Sequence, residues 1–177
     1  MTEQPRGNTF DKIAVGAFST IIVITSLSIT FIITSAAATR YIFKINFVGY
    51  DEIAVLVAFW FYFTGAAYGA FNNSHVSADV VDAYFPEGAA KRTLAFARWL
   101  VTSIACGLFV YYGYRYFMFS FVGPLGNFQF LPKSMTWRIP LWTTHISIFL
   151  GLIFMEVYFI RNLAISAKAL VAGRKRA

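Results

Sequence analysis

Charged side chains are scarce in this sequence. Aspartate, glutamate, lysine and arginine make up 13% of its 177 residues, whereas soluble domains carry about 25%. Hydrophobic residues account for 58% and aromatic residues for 19%. So low a share of charge excludes an ordinary soluble domain and is typical of a membrane protein. The formal net charge of +7 does not form a nucleic-acid-binding stripe, because the basic residues cluster at the ends of apolar runs.

Cysteine is almost absent, and motifs for chemistry are absent. The single cysteine, Cys106, lies inside an apolar run. It can form neither an intrachain disulfide nor a paired-thiol metal site, so we expect a small packing residue. No nucleophile–base arrangement, phosphate-binding loop or cysteine–histidine metal spacing occurs in the sequence. We therefore expect a protein that is not an enzyme and that holds no metal and no cofactor.

Four long apolar runs divide the chain. A helix needs about 20 residues to cross the hydrocarbon core of a bilayer. The first run is too long for a signal-peptide core of about 7–15 residues, so we interpret it as an uncleaved span. The sequence predicts an all-α integral membrane protein with one membrane domain over residues 1–177. Its spans are expected near residues 13–39, 53–71, 99–121 and 139–160.

The second run begins with acidic residues and contains a stripe of small ones. Asp51 is a good N-cap, and Glu52 falls in the first turn, where the positive end of a helix favours a carboxylate. Gly65 and Gly69 are four residues apart and share one helix face. Such a face lets another helix approach closely in lipid. That helix belongs either to this chain's own bundle or to a partner.

A short amphipathic helix is predicted between the second and third runs, near residues 78–85. Ser77 is a suitable N-cap, and Val80, Val81 and Tyr84 share a face opposite Asp82. Helices that bind anionic lipid surfaces are usually basic. Because this one is acidic, the pattern favours docking at the membrane interface against protein rather than lipid.

The distribution of basic residues predicts the topology. Four spans place both chain ends on one side of the membrane, together with the connection between spans two and three. That side carries ten basic residues, and the other side carries five. The excess predicts cytoplasmic N and C termini. The ten are Arg6, Lys12, Lys91, Arg92, Arg98, Arg161, Lys168, Arg174, Lys175 and Arg176; the five are Arg40, Lys44, Arg115, Lys133 and Arg138.

Ionisable residues and prolines avoid the centres of the predicted spans. A transporter that moves its own substrate usually needs mid-membrane ionisable groups or interrupted helices. Glu156 lies about one turn inside the cytoplasmic end of the fourth span and needs a partner. Arg98 has a similar depth in the third span, so we expect a Glu156–Arg98 contact. The prolines are Pro5, Pro86, Pro124, Pro132 and Pro140, and the last suits the first turn of the fourth span.

Two histidines raise the alternative of a membrane-anchor subunit of a redox complex that binds haem or quinone. Membrane cytochromes hold haem between paired histidines. His75 follows the second span on the predicted cytoplasmic side, whereas His145 lies near the outer end of the fourth. A pair on opposite sides of the bilayer cannot share one iron. The topology therefore argues against this alternative, and we expect His145 to be an interior hydrogen-bonding residue.

A set of short motifs occurs in a fixed order around these spans. The sequence resembles the small membrane subunit of tripartite ATP-independent periplasmic (TRAP) transporters, the DctQ-type family, from about Ile13 to Leu163. The residues that carry the resemblance are Arg40-Tyr41-Ile42-Phe43, Glu52, Gly65-Ala66-Ala67, His75-Val76-x-x-Asp79, Ser134 and Ile139-Pro140-Leu141-Trp142.

The resemblance implies a non-catalytic subunit in the bacterial inner membrane. Such a subunit joins a large multi-span subunit, which moves the substrate with a sodium gradient. A periplasmic solute-binding protein captures the substrate, usually an organic acid, and delivers it to the membrane pair. The small subunit enlarges the static scaffold against which the transport domain moves.

Several motif residues are candidates for the partner interface, each beside a simpler structural interpretation. His75 and Asp79 either shape a cytoplasmic turn that contacts the large subunit or serve as a local helix cap. Glu52 is either a favourable charge at a helix start or a partner contact. Arg40 is expected to anchor the span at the interface. Gly65, Gly69 and Pro140 complete the candidate set.

Overall fold

Four long helices make up the regular structure of the described residues. The computed structural model describes residues 9–72, 89–123, 126 and 131–174. The predicted interfacial helix, with His75 and Asp79, lies outside these residues. Within them the expectation of an all-helical chain is confirmed, and no strand is formed. The helices are α1 (Thr9–Tyr41), α2 (Tyr50–Phe71), α3 (Ala89–Val122) and α4 (Trp142–Arg174), and all four are apolar and long enough to cross a membrane.

Three of the helices are longer than a bilayer is thick. Helices α1, α3 and α4 have 33, 34 and 33 residues. At a rise of about 1.5 Å per residue each measures about 50 Å, against about 30 Å of hydrocarbon. Helix α2, with 22 residues, matches the core closely. The helices continue past the predicted spans because polar segments such as residues 89–98 and 161–174 contain helix-favouring alanines and no proline.

Helix α4 begins at Trp142, three residues later than the predicted start of the fourth span. Pro140 therefore precedes the first turn rather than lying in it. The reason is that the backbone on either side of Pro140 is paired with an earlier part of the loop. Ser134 N–H donates to Ile139 O at 2.9 Å, and Leu141 N–H donates to Pro132 O at 3.0 Å. The Pro140 carbonyl still contacts the first turn of α4, because it accepts a hydrogen bond from Thr143 Oγ1 at 2.7 Å.

The helices pack in the order α1, α2, α4, α3. Helix α1 packs against α2, α2 against α4, and α4 against α3. The chain thus forms two helical hairpins, α1–α2 and α3–α4, which meet through α2 and α4. The buried apolar core is small, and most large hydrophobic side chains of α1 and α3 face outward. The described residues of this buried core are Phe18, Ala67, Ala70, Cys106, Tyr158 and Phe159.

Small residues of α3 form its seam with α4. Ser103, Cys106, Gly113 and Ser120 are buried at spacings of three and seven residues, which is the period of a helix–helix seam. Cys106 is a free, buried packing residue, as expected, and its Sγ lies 3.8 Å from Leu152 O. The small side chains leave room for bulky α4 residues between the two helices.

The closest approach of the two hairpins is at Gly151 of α4. A Cβ atom on Gly151 would lie 2.7 Å from Phe63 Cβ and 2.8 Å from Phe63 O in α2. Trp60 Nε1–H of α2 donates to Thr143 O at 3.2 Å. By contrast, a Cβ atom on Gly65 would meet no atom within 4 Å. The glycine that permits the α2–α4 contact is therefore Gly151, while Gly65 stays a prediction for contact with a partner.

We predict that Gly151→Ala separates the two hairpins and lowers stability by about 1–3 kcal/mol, the usual cost of overpacking. The added methyl group would overlap Phe63, including its backbone, which cannot rotate away. Thermal unfolding in detergent measures the effect. Gly65→Ala is the matched control, because it makes the same helix-favouring change where space is open. Equal melting temperatures for the two variants would contradict the close contact.

Candidate functional site

Polar contacts are concentrated at the two ends of the helix assembly. The connection from α1 to α2 and the connection from α3 to α4 lie at the same end, because Glu52 contacts residues of the second connection. We name this the Glu52 end. The opposite end holds the contact between Asp11 of α1 and Arg161 of α4, and we name it the Arg161 end.

The Glu52 carboxylate fastens the loop before α4 to the start of α2. Oε1 accepts a hydrogen bond from Thr136 N–H at 2.7 Å, and Oε2 accepts one from Trp137 N–H at 2.9 Å. Hydrogen bonds to an ionised carboxylate are stronger than those between neutral groups. Glu52 therefore has a role inside the chain, besides being a favourable charge at the helix start. The sequence carried no signal for it, because the partners are 84 and 85 residues away.

Gly49 supports the same loop from the other side. Trp137 Nε1–H donates to Gly49 O at 3.1 Å. Gly49 has a φ of 84°, in the left-handed region, and a Cβ atom there would lie 2.6 Å from Trp137 Nε1. Both the backbone conformation and the close approach of the indole ring require glycine. The tip of the loop projects outward, with Met135 98% exposed.

A buried polar pair closes the seam between α3 and α4 at the Glu52 end. Ser120 Oγ and His145 Nδ1 share a hydrogen bond of 2.5 Å, and the rings of Tyr116 and His145 lie 4.0 Å apart. Both members of the pair are buried. His145 is thus an interior hydrogen-bonding residue, as its position in the sequence indicated.

A cleft of about 480 Å³ opens between α2, α3, α4 and the loop at this end. Its lining includes Glu52, Phe59, Tyr116, Pro140 and His145. Two of the candidate residues from the sequence, Glu52 and Pro140, therefore come together here. Arg40 lies apart from them, beside a smaller hollow of about 270 Å³ between α1 and the start of α2. Its guanidinium carbon lies 5.9 Å from the centre of the Tyr41 ring.

An ion pair joins α1 to α4 at the Arg161 end. Arg161 Nη1–H donates to Asp11 Oδ2 at 2.7 Å, and the Asp11 side chain is only 7% exposed. About two turns deeper on both helices, the rings of Phe18 and Phe154 meet edge to face at 5.1 Å. Sequence reasoning assigned Arg161 to the basic tail and missed the pair. The available signal was an acidic residue beside span one and a basic residue beside span four, both on the same predicted side.

Glu156 contacts a seam residue of α3. Its Oε1 accepts a hydrogen bond from Ser103 Oγ at 2.7 Å. Its Oε2 is buried without a hydrogen-bond partner. The guanidinium carbon of Arg98 lies 5.2 Å from the centre of the Trp99 ring. The hydrogen bond to Glu156 thus comes from a neutral hydroxyl, and the contact with Arg98 stays a prediction. Among the described residues, no three His, Cys, Asp or Glu side chains are grouped as metal ligands.

Four apolar helices with polar contacts at their ends define a multi-pass helical membrane protein. The family model described as "Tripartite ATP-independent periplasmic transporters, DctQ component" matches residues 29–169. The chain therefore belongs to the DctQ family, the small permease subunits of TRAP transporters. This result confirms the resemblance found in the motifs. A comparison with curated proteins gives no match.

We predict that Glu52→Gln loosens the loop before α4. A neutral amide offers one acceptor oxygen, and its NH₂ group would face a second N–H donor. Hydrogen exchange in detergent, followed by mass spectrometry, should show faster exchange at the amides of Thr136 and Trp137. Asp51→Asn removes the neighbouring charge and is the control, because Asp51 is exposed beside the cleft. Unchanged exchange in Glu52→Gln would contradict the role of the carboxylate.

We further predict that Asp11 and Arg161 are energetically coupled. Arg161→Met alone leaves a buried carboxylate without its partner and should cost about 1–3 kcal/mol, less than a fully buried pair because Arg161 is partly exposed. The double variant Asp11→Leu/Arg161→Met should recover part of that loss. A double-mutant cycle on thermal unfolding in detergent measures the coupling. Additive effects of the two single changes would contradict it.

Proposed function

We propose that this chain is the non-catalytic scaffold subunit of a sodium-coupled, binding-protein-dependent transporter for organic acids. In this proposal it pairs with a large multi-span subunit, which carries the substrate. A periplasmic solute-binding protein delivers the carboxylate substrate to the pair. Membership in the DctQ family supports the assignment to a transporter. The sodium coupling, the carboxylate substrate and the two partners are what the family resemblance implies.

The observation that carries the scaffold role is the continuity of the helices. Helices α1, α2, α3 and α4 run without a break through their apolar lengths. Substrate and ion sites of secondary transporters usually form where helices are interrupted near the midplane. The described carboxylate and guanidinium side chains within the predicted spans, Glu156 and Arg115, lie toward span ends. This arrangement favours a rigid scaffold role for the chain. The transport pathway would then lie in the large subunit.

The proposed orientation places the Arg161 end in the cytoplasm and the Glu52 end in the periplasm. The excess of basic residues on the Arg161 side supports this orientation. The protein is then a multi-pass component of the bacterial inner membrane. The predicted acidic helix near residues 78–85, with His75 and Asp79, would contact the large subunit at the cytoplasmic face. The loop fastened by Glu52 would face the binding protein.

The test is purification of the tagged chain from its native membranes in mild detergent. We expect a colourless sample that carries one large, very hydrophobic protein, identified by peptide mass spectrometry as a multi-span membrane protein. Reconstitution of that pair with its binding protein should then give uptake of an organic acid that requires a sodium gradient. An untagged strain, treated identically, controls for proteins that bind the resin.

A haem band in the visible spectrum, or copurified soluble redox subunits, would overturn the transporter proposal. That result would favour the alternative of a membrane anchor for a redox complex, and His75 and His145 would be the first residues to replace. A pair that transports without a sodium gradient would leave the scaffold role intact and overturn only the ion coupling.

A further inference from the structure

The free face of α3 has an unusual chemistry for a surface in lipid. One stripe of α3, from Ser103 to Ser120, packs on α4, and the remaining surface faces outward. Tyr111 and Tyr112 are 54% and 63% exposed on this outward surface. Arg115 is exposed one turn further along. Residues three and four apart are neighbours on a helix, so the three side chains form one polar face. We name Tyr111, Tyr112 and Arg115 the α3 polar face.

The two tyrosines of this face lie deep in the predicted span, and Arg115 lies one turn nearer to its outer end. The third span is expected over residues 99–121, so Tyr111 and Tyr112 lie within about 3 Å of its middle, at a rise of about 1.5 Å per residue. Tyrosines in membrane proteins are usually found at the two interfaces, where water and headgroups are within reach. At the centre of a bilayer neither is available. A hydroxyl without a partner in hydrocarbon is costly.

The α3 polar face is not satisfied within the described part of the chain. The hydrogen bonds of the described residues include none from the hydroxyls of Tyr111 and Tyr112 or from the guanidinium of Arg115. The two tyrosine rings contact each other edge to face, with centroids 5.4 Å apart, which leaves the hydroxyls free to meet another molecule. The face therefore offers two hydroxyls and one positive charge to whatever covers it.

Helix α1, at the opposite side of the assembly, differs in this respect. Several hydroxyls along this helix are bonded to its own backbone. Thr20 Oγ1 donates to Gly16 O at 2.9 Å, and Thr30 Oγ1 donates to Ser26 O at 2.9 Å. Ser28 does the same with Ile24 O at 2.8 Å. Side chains satisfied in this way need no partner in hydrocarbon. These hydroxyls of α1 are therefore compatible with lipid, while those of the α3 polar face are not.

From this contrast we infer that the α3 polar face is the docking surface for the large multi-span subunit, and that α1 faces lipid. The inference rests on the proposed function. The two hydroxyls call for a transmembrane helix that presents hydrogen-bond acceptors at mid-depth, and the charge of Arg115 calls for a carboxylate one turn nearer to the outer end. Such a partner satisfies all three groups together. Lipid tails offer no acceptor at this depth. Tyr62 of α2 is also exposed. Its single hydroxyl likewise calls for a hydrogen-bond acceptor on a partner.

Site-specific photocrosslinking in native membranes tests the inference. A photoreactive benzoylphenylalanine replaces Leu108, which is 57% exposed one turn before the polar face. The matched control carries the same probe in place of Ile24, which is 58% exposed on α1. We expect an adduct with the large subunit, identified by peptide mass spectrometry, from the probe at residue 108 and none from the probe at residue 24.

Three outcomes would overturn the inference. An adduct with the large subunit from residue 24 and none from residue 108 would place the subunit on α1. An adduct of twice the mass of this chain from residue 108 would assign the face to a second copy. Only lipid adducts at residue 108, with the large subunit still copurified, would show that α3 faces lipid while the transporter assignment stands. Failure to copurify any large subunit would overturn both proposals.

A second experiment tests the role of the Tyr111 and Tyr112 hydroxyls, separately from the location of the docking surface. Tyr111→Phe/Tyr112→Phe keeps the rings and removes two hydroxyls, so folding should be preserved. With interhelical hydrogen bonds of typical strength, retention of the large subunit in detergent should fall by about tenfold. The control is Tyr41→Phe, at the end of α1 that lies near water. Equal retention by the double variant and the control would overturn the role of the hydroxyls.

Discussion

The contact between α2 and α4 is the constraint on which the rest of the arrangement depends. The chain is two helical hairpins, and in lipid no hydrophobic effect presses them together. Their association needs close packing, and Gly151 permits it by letting α4 reach the backbone of Phe63. The Asp11–Arg161 pair and the Glu52 loop contact then act at opposite ends of this junction. In the first contact the Asp11 carboxylate is buried, while the Arg161 guanidinium stays partly exposed, which lowers the desolvation cost of the pair.

This construction suits a subunit that supports another protein. The helices are continuous, the junction is tightly packed, and both ends are held by charge-assisted hydrogen bonds. Few described side chains are buried inside the chain, so most of its apolar surface is available to lipid or to a partner. The polar groups on this surface then distinguish the part that faces lipid from the part that faces a partner. Hydroxyls bonded to their own helix tolerate hydrocarbon, while tyrosine hydroxyls at depth need another protein.

Much of the fold could be predicted from composition and apolar runs, because a segment in lipid must satisfy its own backbone as a helix. The four helices, the packing role of Cys106 and the interior position of His145 follow from such reasoning. The contacts of the candidate residues were harder to predict. The contact of Glu156 with Ser103 was not anticipated. The Gly65 stripe looked suited to close packing, yet it is at Gly151 that α4 comes close to the backbone of Phe63 in α2.

Sequence by itself determined the membrane class, the number and type of the helices, and the family, since these depend on local composition and motif order. Only the tertiary structure decided which helices are neighbours and which polar groups meet. The order α1, α2, α4, α3 cannot be read from four similar apolar runs. Nor can the pairing of Glu52 with backbone amides 84 and 85 residues away, or of Asp11 with a residue 150 positions distant. Such contacts depend on shape and distance between helices, which no local pattern encodes.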